Sequence, residues 1–197
     1  TGVKTLNMLK ELVGYSNPDF LTYDSNATQS LWEAGKLAMA TMWGSRAGAI
    51  LDDKGSTPEI IKATVLAGAP TVGGGSVPAT TLWWDGFAIA KNISNADAEA
   101  SFRAMMNGLT PQTVKASNDV AVWLAEGYTP GAAAKGVVAT AQAGARPYPM
   151  EPSMGLLHTA LGDNLSTFMQ GSKPAKQALA DAEAAYVAAA KAKGFLK

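Results

Sequence analysis

Cysteine is absent from the 197-residue chain, and histidine occurs once, at position 158. Without cysteine there is no disulfide, no thiolate chemistry and no cysteine-based zinc site. With one histidine there is no histidine pair and no His-rich metal centre, so neither a metal nor a cofactor is expected. Charge of one sign is also missing: sixteen Lys and Arg balance sixteen Asp and Glu. No net field attracts nucleic acid, an anionic membrane or a polyanion, so any binding site must be built locally. Nucleic acid is not an expected partner.

Long hydrophobic runs are missing too. None approaches the roughly 20 residues that span a bilayer, and the opening "TGVKTLNMLK" lacks the apolar region and cleavage signature of a signal peptide. The chain as given reads as soluble. It begins with Thr1, which points to processing, truncation or a fragment. Its length suits one large domain or parts of two.

What is present reads as helices interleaved with short strands. Val3, Leu6, Leu9 or Lys10, and Val13 predict a first helix, broken by "GYSNPDF". A second helix is expected to start after Asp24 or Ser25, with Leu31 and Trp32 as anchors, and to end near Gly35. "KLAMATMW", residues 36–43, reads as a short buried strand. Ser56 or Thr57 followed by Pro58 signals another helix start, and "KATVLAGAP" a strand running into a loop. "PTVGGGSVP" is a flexible loop whose glycines lack the strand-to-helix setting of a phosphate cradle.

"LWWDGFAIAK", residues 82–91, reads as the clearest strand, and "NISNADAEASFRAMMNGL" as the clearest helix. That helix is capped by Ser94 or Asn95 and carries Ala98, Phe102, Met105, Met106 and Leu109 on one face. A helix beginning at Thr110 is interrupted by Ser117, Asn118 and Asp119, and a weak helix covers 137–143. The prolines of "ARPYPMEPSMG" enforce extended backbone. Two further helices close the chain, one with Leu157, Leu161, Leu165 and Phe168 or Met169 on one side, the other burying Leu179, Ala182, Tyr186 and Ala190. The fold class is α/β.

The order "LWEAGKLAMATMWGSRAG", a Pro-Gly loop, "WWDGFAIAKNISNADAEASFRAMMNGL", "ARPYP" and "FMQGSKPAKQALADAEAAY" resembles the later half of the extracellular solute-binding proteins of sugar and polyol ATP-binding-cassette importers. "GKLAMATM" looks like that family's Gly-Lys-x-Ala-Met strand, "DGFAIAKNISNADAEASF" like its strand, turn and helix, and "GSKPAKQALADAE" like its C-terminal segment. The resemblance covers essentially the whole chain.

It implies a two-lobe fold of the periplasmic-binding-protein type II kind, with ligand held between lobes. Residues 1–85 would belong mainly to the second lobe, 86–137 would return to the first, and 138–197 would go back. It also implies a missing N-terminal half of the same protein, a sugar or polyol ligand, a membrane permease as partner, a periplasmic or extracellular location and no enzymatic activity. The alternatives are a carbohydrate-active hydrolase fragment and a protein-interaction module. The sequence carries no nucleophile signature such as G-x-S-x-G.

Sugars offer apolar C–H faces that stack on aromatic rings and hydroxyls that need donors and acceptors. On a strand, Trp83 and Asp85 share one face, and Trp84 and Gly86 the other. One indole can therefore fill the core while its neighbour lines a cleft, and which does so stays open. Asp85 can accept from two adjacent hydroxyls or cap a turn, and Gly86 allows close backbone approach. The resemblance implies a second candidate group, Trp43, Ser45 and Arg46, in the loop that carries ligand contacts in that family, with Arg46 serving either a ligand or a salt bridge. In the extended stretch, Arg146, Tyr148 or Glu151 is the third. His158 is a ligand candidate too, although a lone histidine on an apolar helix is better read as a hydrogen-bonded packing residue.

Overall fold

The computed structural model describes residues 1–197. The chain is about 52% helical with one small parallel sheet. In order it forms helices α1 (Gly2–Val13), α2 (Ser25–Glu33), α3 (Ala47–Ile50) and α4 (Pro58–Ala63) and strand β1 (Thr81–Leu82). There follow α5 (Asn95–Gly108), α6 (Pro111–Ala116), α7 (Lys135–Gln142), β2 (Arg146–Pro147), α8 (Met154–Met169) and α9 (Ala175–Ala192). Contacts divide it into two units, Thr1–Tyr23 with Pro149–Lys197, and Asp24–Tyr148.

The helix starts follow capping chemistry. The side chains of Asp24, Thr57, Ser94 and Thr110 accept from the free N–H groups at the heads of α2, α4, α5 and α6. Pro58 and Pro111 occupy first-turn positions, where a missing N–H costs nothing. Gly35 leaves α2 at φ +67°, a left-handed conformation that other residues adopt with strain.

The first unit is built on α1, α8 and α9. A five-residue turn joins α8 to α9, and Leu6, Phe168, Ala175 and Ala178 form a core flanked by Leu165, Met169 and Leu179. Alanines at 175, 178 and 182 keep the buried stripe of α9 flat, so its neighbours approach closely. The Lys10 ammonium donates to the Met169 carbonyl at the end of α8, where the helix dipole favours a cation.

The second unit departs from the expected strands. "KLAMATMW" forms no strand, and of its residues only Leu37 and Met42 are even half-buried; Met39 is 88% exposed. "KATVLAGAP" likewise forms none, and of "LWWDGFAIAK" only Leu82 lies in a strand. The pattern of each segment suits a strand, but a strand exists by its ladder partner, and the chain's one ladder pairs Thr81 with Arg146 and Leu82 with Pro147. A side chain does part of that work at Ala69, whose N–H donates to Thr140 Oγ1 at 2.9 Å. The apolar face of α5 is not buried either: the helix has no buried residue, and Phe102 and Met106 are exposed.

Candidate functional site

The β1–β2 register sets the site. Continuing the pairs Thr81 with Arg146 and Leu82 with Pro147 by one step puts Trp83 beside Tyr148. The Tyr148 N–H donates to the Leu82 carbonyl at 2.8 Å, and the Trp83 and Tyr148 ring centroids lie 4.8 Å apart, tilted by 54°. Trp43 meets Trp83 from another side, centroids 6.4 Å apart at 77°, an edge-on contact of the kind aromatic quadrupoles favour. Trp43 and Trp83 remain 57% and 51% exposed, unusual for large apolar rings that already touch other rings.

Asp85 completes the group. Its Oδ1 accepts from Trp83 Nε1 at 3.0 Å. An indole N–H points outward in the plane of its ring, so the carboxylate sits at the rim of Trp83. The carboxylate retains lone pairs for further donors. Trp83 and Asp85 are thus joined directly, and Trp84 lines an apolar hollow of about 220 Å³ with Trp123, Tyr128, Val137 and Val138 among its walls. Burial raises the Tyr128 hydroxyl above its ordinary pKa, with the nearby Asp119 charge adding to the effect.

Trp43 is positioned through its neighbour Gly44. A Cβ at residue 44 would stand 2.0 Å from Val137 Cγ2, so with Val137 in place glycine is what lets this turn lie against α7. Ser45 follows, exposed. Arg46 makes no ion pair; its Nη1 donates to Gln29 Oε1 at 3.2 Å, and Gln29 Nε2 donates to Glu33 Oε1 at 2.7 Å. Sequence reasoning did not find Gln29, because the contact crosses from α2 to a turn with no spacing to announce it.

Gly86 needs no special conformation, and a Cβ there would meet nothing within 4 Å. Glu151 and His158 belong to the other unit, both exposed, Glu151 just before α8 and His158 on it. The group that comes together is therefore Trp43, Trp83, Asp85 and Tyr148. No cluster of three or more His, Asp or Glu side chains offers a metal seat.

This arrangement is suited to binding a neutral, hydroxyl-rich molecule with an apolar face. Comparison of the chain with protein-family models and with curated proteins finds no match.

Proposed function

We propose that the chain is the later half of an extracellular solute-binding protein, capturing a sugar or polyol between two lobes and delivering it to the permease of an ATP-binding-cassette importer. The observation that carries this reading is the half-exposed Trp43–Trp83–Tyr148 group with Asp85 in the plane of Trp83. A sugar stacked by its C–H face on Trp83 carries its hydroxyls around its own rim, where Asp85 accepts from them. A carboxylate acceptor makes such bonds stronger than a neutral one would. The work is reversible capture by lobe closure, with no covalent step.

The exposed surface supports a covering partner. Two separately compact bodies of the sizes of the two units would expose about 10,500 Å² in all, and the chain exposes 13,821 Å². The difference exceeds the share of one partner in an ordinary stable interface, about 800 Å². The proposed partner is the preceding half of the same protein. In that setting residues 1–85 and 138–197 lie mainly in one lobe and 86–137 in the other, and the protein works in the periplasm or outside the cell.

The test is calorimetric titration of the protein and of Asp85→Ala with a panel of sugars and polyols, alongside an assay of glycoside turnover. Losing a hydrogen bond to a charged acceptor costs about 1.5–3 kcal/mol, so affinity is expected to fall roughly ten- to a hundredfold with the circular dichroism spectrum unchanged. Affinity within twofold of the parent would make Asp85 a structural residue and sink the assignment. Turnover of a glycoside without tight binding of the unchanged sugar would move the protein to the hydrolases.

A further inference from the structure

The two exposed indoles meet almost at a right angle, 77°, and the angle bears on the form of the ligand. Resting on the carbohydrate reading above, we propose that the site takes a single sugar ring, free or at the end of a chain, and not the interior of a polysaccharide. A polysaccharide held along its length presents successive apolar faces in a row, and a site that grips it there needs aromatic rings side by side with their faces turned the same way. Neither ring beside Trp83 is parallel to it: Trp43 stands at 77° and Tyr148 at 54°. Both are in direct contact with it, at centroid separations of 6.4 Å and 4.8 Å, within the range of touching aromatic pairs. No second sugar fits between them.

Three groups touch Trp83. A sugar laid on the exposed part of Trp83 has as neighbours Trp43, its plane turned 77° from that of Trp83, Tyr148 at 54°, and the Asp85 carboxylate beside Nε1. A mid-chain residue carries a glycosidic link at each end, and both links must find open paths. A terminal ring needs one path, and its free hydroxyls meet the neighbouring rings and the carboxylate. The same hydroxyls satisfy acceptor positions that a glycosidic oxygen, having no proton, cannot.

The experiment follows the indole N–H signals of the ¹⁵N-labelled 197-residue chain by NMR, which registers binding even at millimolar affinity. The probes are glucose, galactose and mannose, then the linear α-1,4 and β-1,4 glucose series from disaccharide to hexasaccharide. Trp83 and Trp43 signals, assigned by Trp83→Phe and Trp43→Phe, are expected to shift with a monosaccharide or disaccharide. Affinity per molecule is expected to stay within about threefold up to the hexasaccharide, because each chain offers one non-reducing end whatever its length. An affinity that climbs more than threefold along the series overturns end-on capture while leaving carbohydrate binding in place. No shift with any probe, nor with the sugars and polyols of the calorimetric panel, overturns the carbohydrate reading and this inference together, so the two failures have different signatures. Trp43→Ala removes one of the rings beside Trp83 at a position that is itself 57% exposed. It is expected to weaken the monosaccharide by about tenfold, and an unchanged affinity overturns the role of the angle.

Discussion

The unit formed by α1, α8 and α9 and the unit spanning 24–148 both leave large apolar residues exposed, but they hold their backbone in different ways. In the first, Leu6 and Phe168 are buried against alanines of a neighbouring helix, and long helices hold their own backbone bonds. Leu12, Tyr15, Met150 and Phe195 of the same unit stay exposed; in the second, Ile50 and Val114 are buried while Trp43, Val65, Trp83, Phe87 and Phe102 stay exposed. A helical hairpin closes its hydrogen bonds within each segment, whereas an extended segment closes them only with a neighbour. The first unit closes most of its backbone bonds within helices; the second adds caps, close backbone approaches and isolated side-chain bonds, and it carries the candidate site.

The sharpest way to break that comparison is Phe168→Ala. Truncating a buried Phe costs about 3–5 kcal/mol, and Phe168 is 7% exposed within the core. Urea unfolding followed by circular dichroism should lose that amount, with hydrogen exchange faster throughout α8 and α9. A loss below about 1 kcal/mol would mean that this core is looser than its burial.

Gly44→Ala probes the other unit by the approach it depends on. The new methyl group falls 2.0 Å from Val137 Cγ2, and overpacking of this kind costs about 1–3 kcal/mol. All five tryptophans lie in this unit, so their emission reports the displacement directly. Adding Val137→Ala to make room should restore most of the loss. If the double variant is no better than the single one, the contact with α7 is not what positions Trp43.

A weaker lever is pH, acting on the first unit. Hydrogen bonds from Lys173, and then Gln177, hold Asp181 below the ordinary carboxylate pKa. A carboxyl whose pKa is lowered by folding stabilises above its unfolded value, and the contribution is lost as pH falls through the folded value. Melting temperature should therefore drop below about pH 4, by less in Asp181→Asn than in the parent. An equal drop in both would place the acid sensitivity elsewhere. The pair is partly exposed, and salt should diminish the difference.

Legibility in the sequence follows the same division. Local signals were sufficient for α1, α2, α4, α5, α8 and α9, because capping residues and 3.6-residue periodicity act within one segment. Trp83 and Asp85 do meet, but through an indole-to-carboxylate hydrogen bond in a segment that forms no strand, so period-two geometry is not what joins them. Local signals could not extend to strands at 36–43 or 82–91, since a ladder depends on residues far away in the chain. The same limit hid Gln29 as the partner of Arg46 and left Tyr148 one of three choices until the β1–β2 register put it beside Trp83.

Helix α5 gives the smallest expected effect and the most direct check on the second unit. Ser94 accepts from the Asp97 N–H at 3.1 Å, and Glu99 pairs with Arg103 one turn along. The helix is thus supported from its ends and its surface, with no buried side chain. Phe102 is 55% exposed, so its truncation forfeits little burial, and alanine is the better helix former. Phe102→Ala should leave stability within about 0.5 kcal/mol, as for surface positions generally. A loss of 1.5 kcal/mol or more in the isolated chain would show that this face is covered in solution. Concentration-dependent loss would identify the cover as another copy of the chain, and a concentration-independent one as a segment of the chain itself.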